Sequence, residues 1–228
     1  MKIAVFTYSN PWLQSSAGSN RLLSLATGLD NHCDRVDLLI YGPYQNEKEK
    51  EDWSSHGSHF SLFYRYLLPR VIEGYFNIRF YNYTWRYLNQ FKLSTKIIAD
   101  CHDIDIIWLD SSIFSLELVK KLNSKYPYKK LIIEQSEFLD IHRLNKGSFL
   151  QKLEGDRRKW LFERRAFPNL DGLALMTKTL VNHYSSFPEP LPGILHLPMT
   201  VDLERFNQIA PAPIEFQKPY IAFVGVMN

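Results

Sequence analysis

The sequence predicts an α/β fold built on a parallel sheet, and three observations carry that prediction. Lys2 to Tyr8 is an almost unbroken run of β-branched and aromatic residues, the pattern of a strand covered by helices on both faces. Leu22, Leu25 or Ala26, and Leu29 follow at helical spacing. Arg35 to Tyr41 (RVDLLIY) is a second buried strand, closed by Gly42-Pro43. Strand, helix and strand within about forty residues make a right-handed βαβ unit, which sets the class.

The loop joining the first strand to its helix is rich in small polar residues, with Ser15, Ser16 and Ser19 as N-cap candidates. The helix is expected to start near Gly18, so that free backbone N–H groups and the positive dipole end face whatever sits above the strand. An anion would be stabilised there. Gly18 alone is also an ordinary tight-turn residue, and the chain contains neither G-x-G-x-x-G nor G-x-x-x-x-G-K-[ST]. Neither a dehydrogenase fingerprint nor a P-loop is therefore supported.

With 228 residues, 45% of them hydrophobic and 14% aromatic, the chain can bury a large core, as one domain or one domain and part of another. A formal net charge of +3 gives no argument for nucleic acid. Cys33 and Cys101 lack metal-ligand spacing and are too few for a disulfide framework, which fits a reducing, cytoplasmic setting. No basic segment with a cleavage site opens the chain, and no apolar run is long enough to span a bilayer. Membrane contact is expected to be peripheral.

Residues 45–58 are charged and turn-rich, and His56 and His59 within or beside them have no acidic or thiol companions for a metal. Phe60 to Leu68 is a third strand candidate, and Pro69 opens a long helix whose stripe of Ile72, Phe76, Phe80, Tyr83, Tyr87 and Phe91 suits core packing better than base stacking. A short helix over Ser94 to Cys101 leads to a buried strand, Ile104 to Leu109, ending in Asp110-Ser111-Ser112. Phe114 to Tyr126 is the returning helix and Lys130 to Ile133 the next strand. Its continuation, Glu134-Gln135-Ser136-Glu137, places two carboxylates and two hydrogen-bonding groups where open parallel sheets bind ligands.

From His142 to Phe167 eight basic residues stand against three acidic ones, with Phe149, Leu153, Trp160 and Phe167 roughly on one helical face. That stripe serves the core in an ordinary surface helix, or rests on an anionic leaflet in an interfacial one. Asp171 to Met176 is a strand, Thr177 to Phe187 a helix with Thr177 near its cap, and Gly193 to Leu197 a further strand. Residues 207–219 are Pro-rich and predict a linker. Tyr220 to Val224 then has the pattern of a strand from the centre of another sheet, so the natural polypeptide is expected to continue into a second domain.

Taken in order, these elements resemble the N-terminal domain of GT-B glycosyltransferases, specifically the retaining family 4. Ala17-Gly18-Ser19-Asn20-Arg21 is similar to that family's G-G-x-x-R loop, with alanine for the first glycine. Glu163, Asp171 and Thr177 resemble its helical glutamate, strand-opening aspartate and strand-closing Ser or Thr. Pro198-Met199-Thr200-Val201-Asp202, with Phe206, resembles P-N-G-V-D-x-x-x-F, with Met199 and Thr200 departing from it. Tyr220 to Gly225 is similar to the first strand of the second domain.

The resemblance implies a Rossmann-like doubly wound sheet over residues 1–206, the linker 207–219, and the start of a donor-binding domain at 220–228. It implies a nucleotide-sugar donor held mainly by that second domain, a saccharide or lipid-linked acceptor, no metal, no nucleic acid, and inactivity of this stretch alone. Gly18, Ser19 and Arg21 would then serve the donor diphosphate. Asp110, Ser111, Gln135, Ser136, Glu137 and His142 would line the acceptor side of the cleft. Two other classes fit the same residues: a non-catalytic subunit presenting an acceptor or a membrane surface to a separate chain, and another nucleotide-binding enzyme such as an epimerase of the same shape.

Overall fold

The computed structural model describes residues 1–8, 11, 17–41, 60–63, 92–139, 149–188 and 190–199. The loop with His56 and His59, the helix expected from Pro69, His142, the linker 207–219 and the strand expected at 220–224 lie outside the described residues.

Among the described residues seven parallel strands form one sheet. In chain order they are β1 (Lys2–Thr7), β2 (Arg35–Ile40), β3 (Phe60–Phe63), β4 (Ile106–Leu109), β5 (Lys130–Gln135), β6 (Gly172–Leu175) and β7 (Gly193–His196). Their spatial order is β3-β2-β1-β4-β5-β6-β7. The helices are α1 (Ala17–Asp30), α2 (92–100), α3 (Ile113–Lys125), α4 (Phe149–Leu161) and α5 (Lys178–Ser185). This is a Rossmann-like doubly wound sheet, with β1 in its interior between β2 and β4.

The spatial order explains the layers. From β1 the chain moves outward to β2 and β3, and from β4 it moves the opposite way to β7. A right-handed crossover puts its helix on one face when the chain moves one way and on the other face when it reverses. Accordingly α1 packs through Leu22, Leu25, Ala26 and Leu29 against Ile3, Val5, Val36, Leu38 and Trp108. On the other face, Ile97 and Ile98 of α2, Leu116, Val119 and Leu122 of α3, and Leu180 and Tyr184 of α5 cover Ala4, Phe6, Leu39, Ile107, Leu109, Leu131 and Ile133. Alternate residues of one strand therefore enter different cores.

Polar residues cap the edge of the sheet where its strands begin. The Lys2 N–H donates to Asp105 Oδ2 at 2.7 Å, and the Leu131 N–H donates to Asp171 Oδ2 at 3.0 Å. Asp171 also pairs with Lys130 at 2.8 Å. The strand-opening aspartates thus satisfy backbone donors that the ladder leaves over. At the other end Thr177 and Ser112 act as N-caps, accepting from the N–H groups of Leu180 and Ser115 at 3.2 Å each.

Helix α4 departs from the expected stripe. Its last residues form a π turn, Phe162–Ala166, in which the Phe167 N–H bonds the Phe162 carbonyl. The wider turn rotates Phe167 off the line through Leu153 and Trp160. Phe162, Ala166 and Phe167 are buried, whereas Leu153 and Trp160 stay exposed. The stripe read as core thus divides into an inner and an outer part.

Cys33 and Cys101 are free thiols in very different surroundings. Cys101 is fully buried, and burial pushes its thiol pKa up to about 12. A small alkylating reagent at neutral pH is expected to label Cys33 only in the folded chain and both residues in denaturant, as peptide mass spectrometry would show.

Candidate functional site

A cleft of about 340 Å³ opens where the chain reverses direction, at the carboxyl ends of β1 and β4. Such switch points are where open α/β sheets bind ligands, because adjacent crossovers leave to opposite faces and part there. Val5, Phe6 and Thr7 of β1, and Tyr8 just after it, form one wall. Trp108 and Leu109 with Asp110 and Ser111 form another, Glu134 and Ser136 a third, and the first turn of α1 supplies Gly18, Ser19, Arg21 and Leu22. Gly18, in the first turn of α1, is exposed and has no side chain, so its backbone can be approached closely from the cleft.

A buried ion pair organises the floor. Arg21 is 6% exposed, and its Nε donates to Glu134 Oε1 at 2.6 Å. Its Nη1 and Nη2 donate to the carbonyls of Pro198 and Leu197 at 2.6 and 3.0 Å. The other carboxylate oxygen of Glu134 accepts from Trp108 Nε1 at 3.1 Å. The guanidinium thus joins the start of α1 to β5 and to the segment leaving β7, with one N–H from each of its three nitrogens given to those acceptors. Two sequence motifs far apart in the chain, the Gly18 loop and the Pro198 segment, meet through this one side chain.

A second network shapes the lip. Asp110 accepts from the Tyr41 hydroxyl at 2.6 Å, from the Ser112 N–H at 3.3 Å and from the Ser115 hydroxyl. The oxygens of Tyr41 and Ser112 lie 2.7 Å apart. Since Tyr41 donates to Asp110 and Ser112 Oγ accepts from Ser115, the remaining Ser112 hydroxyl hydrogen points at Tyr41. Arg158 of α4 clamps the neighbouring residue, donating to Ser111 O and Ser111 Oγ at 2.6 Å each. Asp110 and Ser111 are therefore held from two sides.

Tyr41 is fully buried, and its phenol pKa lies well above the usual value of about 10, first through burial and then through the Asp110 charge. The unfolded chain ionises this phenol near its ordinary pKa while the folded chain keeps it neutral, so the folded state binds more protons above that pH. Its share of stability is present below about pH 10 and is lost as pH rises further. In an alkaline titration Tyr41 is expected to ionise only as the chain unfolds, and the tyrosinate absorbance of Tyr41→Phe should lack that last, cooperative step.

The structure brings Gly18, Ser19, Arg21, Asp110, Ser111 and Ser136 to one cleft. Gln135 is fully buried on the opposite side of β5, where its Nε2 donates to the Glu137 carbonyl at 2.9 Å and to the Tyr184 hydroxyl at 2.8 Å. Glu137 is exposed and does not line the cleft. Glu134, the other carboxylate of the polar cluster that ends β5, does line it, and so do Trp108, Thr7 and Tyr8, to which the sequence pattern gave no role in a site. Strand parity was the available signal: Glu134 shares a face with Ile132, Ile132 pairs with Trp108, and both pack on the α1 side.

No protein-family model matches the chain, and no curated protein sequence does. Solved structures do. The Phytolacca americana UGT2 complexed with UDP-2fluoro-glucose and pterostilbene superposes with a TM-score of 0.55 at 11% identity, over 86% of this chain and 54% of that one. A UDP-glucosyltransferase from Polygonum tinctorium gives 0.55 at 12% identity, over 94% and 55%. The N-terminal domain of a Candida albicans trehalose-6-phosphate phosphatase gives 0.52 at 12% identity, over 90% and 49%. The chain spans about half the length of these structures, and at such identities the likeness is one of fold: the Rossmann-like α/β sheet found in GT-B glycosyltransferase structures.

Proposed function

We propose that this chain is the acceptor-side half of a glycosyltransferase of the retaining family 4 type, which transfers a sugar from a nucleotide-sugar donor to a saccharide or lipid-linked acceptor. The observation that carries the reading is the cleft at the β1–β4 switch point, with the Gly18 end of α1 on its rim. Transfer to an acceptor leaves the donor as a nucleoside diphosphate, whose negative charge grows as the glycosidic bond breaks. Fixed amide dipoles stabilise such charge without reorganising, provided they are already aimed at it. The first turn of α1 offers those dipoles at Gly18 and Ser19, while Arg21 fixes the turn in place through Glu134.

Asp110, Ser111 and Ser136 supply hydrogen-bonding groups on the opposite wall, suited to sugar or acceptor hydroxyls. Gln135 and Glu137 support the shape of that wall, since Gln135 bonds the Glu137 carbonyl from beneath. The donor nucleotide is completed by a second domain, consistent with a chain half as long as the structures it matches. By itself the 228-residue chain should bind a nucleotide sugar weakly and turn nothing over. Tight binding in calorimetry would contradict that.

The test is diphosphate release from a panel of nucleotide sugars with saccharide and lipid-linked acceptors, using protein that carries this chain and its donor-binding half. Release is expected with at least one pair. Gly18→Asp should then lower turnover by about 10²-fold, the scale of losing an aimed donor, while leaving the fold as stable or slightly more so. An acidic residue suits a helix start but repels a diphosphate. Unchanged turnover would refute the role of this turn.

A further inference from the structure

The Ser111 hydroxyl takes a hydrogen bond on its oxygen and gives none. Arg158 donates from Nη2 to Ser111 Oγ and from Nε to the Ser111 carbonyl, at 2.6 Å each, and among the described residues nothing accepts the Ser111 O–H. A hydrogen bond received from a cation polarises a hydroxyl and makes its own hydrogen a stronger donor. Arg158 is placed for that rather than for charge pairing. Its neighbours on α4 meet carboxylates, Arg157 on Glu117 at 2.6 Å and Lys159 on Glu163 at 3.8 Å. Among the described residues Arg158 has no such partner, and Glu154, one turn earlier on α4, is exposed and does not pair with it.

The residue before Ser111 has the opposite inventory. A carboxylate offers about four lone-pair sites. In Asp110, Oδ1 takes the Ser112 N–H and the Ser115 hydroxyl while Oδ2 takes only the Tyr41 hydroxyl, so a site on Oδ2 is open. No cation pairs with Asp110 among the described residues. Both residues line the cleft, so one wall sets a hydrogen to give beside a lone pair to fill.

We propose that Asp110 and Ser111 together hold one hydroxyl of an acceptor sugar, its oxygen taking the Ser111 hydrogen and its own hydrogen going to Asp110 Oδ2. Arg158 is the positioning residue, which keeps the Ser111 O–H turned into the cleft. A hydroxyl both gives and takes at one atom. An ether cannot give, an ammonium cannot take, and a carboxylate or phosphate would face the Asp110 charge. The pair therefore selects a neutral sugar with a free hydroxyl at one ring position, and it disfavours the deoxy and O-methyl forms because each leaves a polar group of the wall unfilled. The acceptor-side reading of the cleft is the premise of this assignment.

NMR titration of the 228-residue chain with methyl α-glucoside, methyl α-galactoside and methyl α-mannoside, and with their monodeoxy and mono-O-methyl analogues, tests it without any sugar transfer. One parent glycoside is expected to saturate and to move the Ser111 amide signal, and one of its deoxy forms should bind about tenfold more weakly. In Ser111→Ala that preference should vanish. Arg158→Met should reduce it and Arg158→Lys restore most of it, whereas a purely structural role would weaken parent and deoxy glycosides alike and leave their ratio unchanged. An unchanged ratio in Ser111→Ala or in Arg158→Met, or no glycoside that saturates, would overturn the proposal. The premise fails separately: preference for the hydroxyl without diphosphate release from any nucleotide sugar would refute transfer, and transfer without that preference would refute the role given to Asp110 and Ser111.

Discussion

Arg21→Ala is expected to destabilise the fold by about 3–5 kcal/mol, read as a lower urea midpoint at an unchanged slope. The magnitude follows from what the substitution strands. Arg21 and Glu134 side chains are 7% and 19% exposed, so removing the cation leaves a largely buried carboxylate with only the Trp108 N–H. The Leu197 and Pro198 carbonyls lose their donors as well. Most of the loss is the penalty of the abandoned partners rather than the worth of the pair. Hence Glu134→Ala should cost much less in the Arg21→Ala background than in the parent, a coupling that a double-mutant cycle measures directly. Arg21→Lys should recover only part of the loss, because an ammonium cannot serve a carboxylate and two carbonyls in the geometry of a planar fork.

Phe162→Ala should cost a similar amount, about 3–5 kcal/mol, for a different reason. Phe162 is fully buried at the π turn, with its ring 5.8 Å from that of Phe167 and 5.4 Å from that of Tyr184. Alanine leaves a cavity beside the Phe167 and Tyr184 rings, whose cost grows with the volume that the neighbours fail to refill. Phe162→Leu should recover more than half of the loss in the same denaturation series, since it refills most of the volume without the ring contacts. The two substitutions act on opposite faces of the sheet and share no partner, so their effects should add.

The doubly wound sheet was legible because buried parallel strands are written as short apolar runs, and β1, β2, β4 and β5 all are. The cleft was partly legible. Gly18, Ser19, Asp110, Ser111 and Ser136 follow strands at their carboxyl ends, and an order of elements is enough to bring such positions together. Within β5 the polar cluster 134–137 was recognised as a whole, but which members reach the cleft depends on alternation relative to Ile132. Only Glu134 and Ser136 do. The Tyr41–Asp110 bond joins residues from opposite sides of β1, and no local pattern announces it. The exposed stripe of α4 was hidden by one inserted residue in a helical turn, which periodicity assumes away.

The strand β7 has a consequence for solubility. Among the described residues it forms the outer margin of the sheet, with Leu195 half-exposed, and such a margin is a template on which another chain can add a strand and begin to aggregate. Here the template is only four residues long, and Pro192 and Pro198 bracket it. Neither proline can donate to an incoming backbone, so an intruding strand would find too few consecutive donors to hold its register. Just past the strand Arg21 occupies the carbonyls of Leu197 and Pro198, so the side chain that steadies the cleft also pins the chain where this short edge ends and keeps the edge from lengthening.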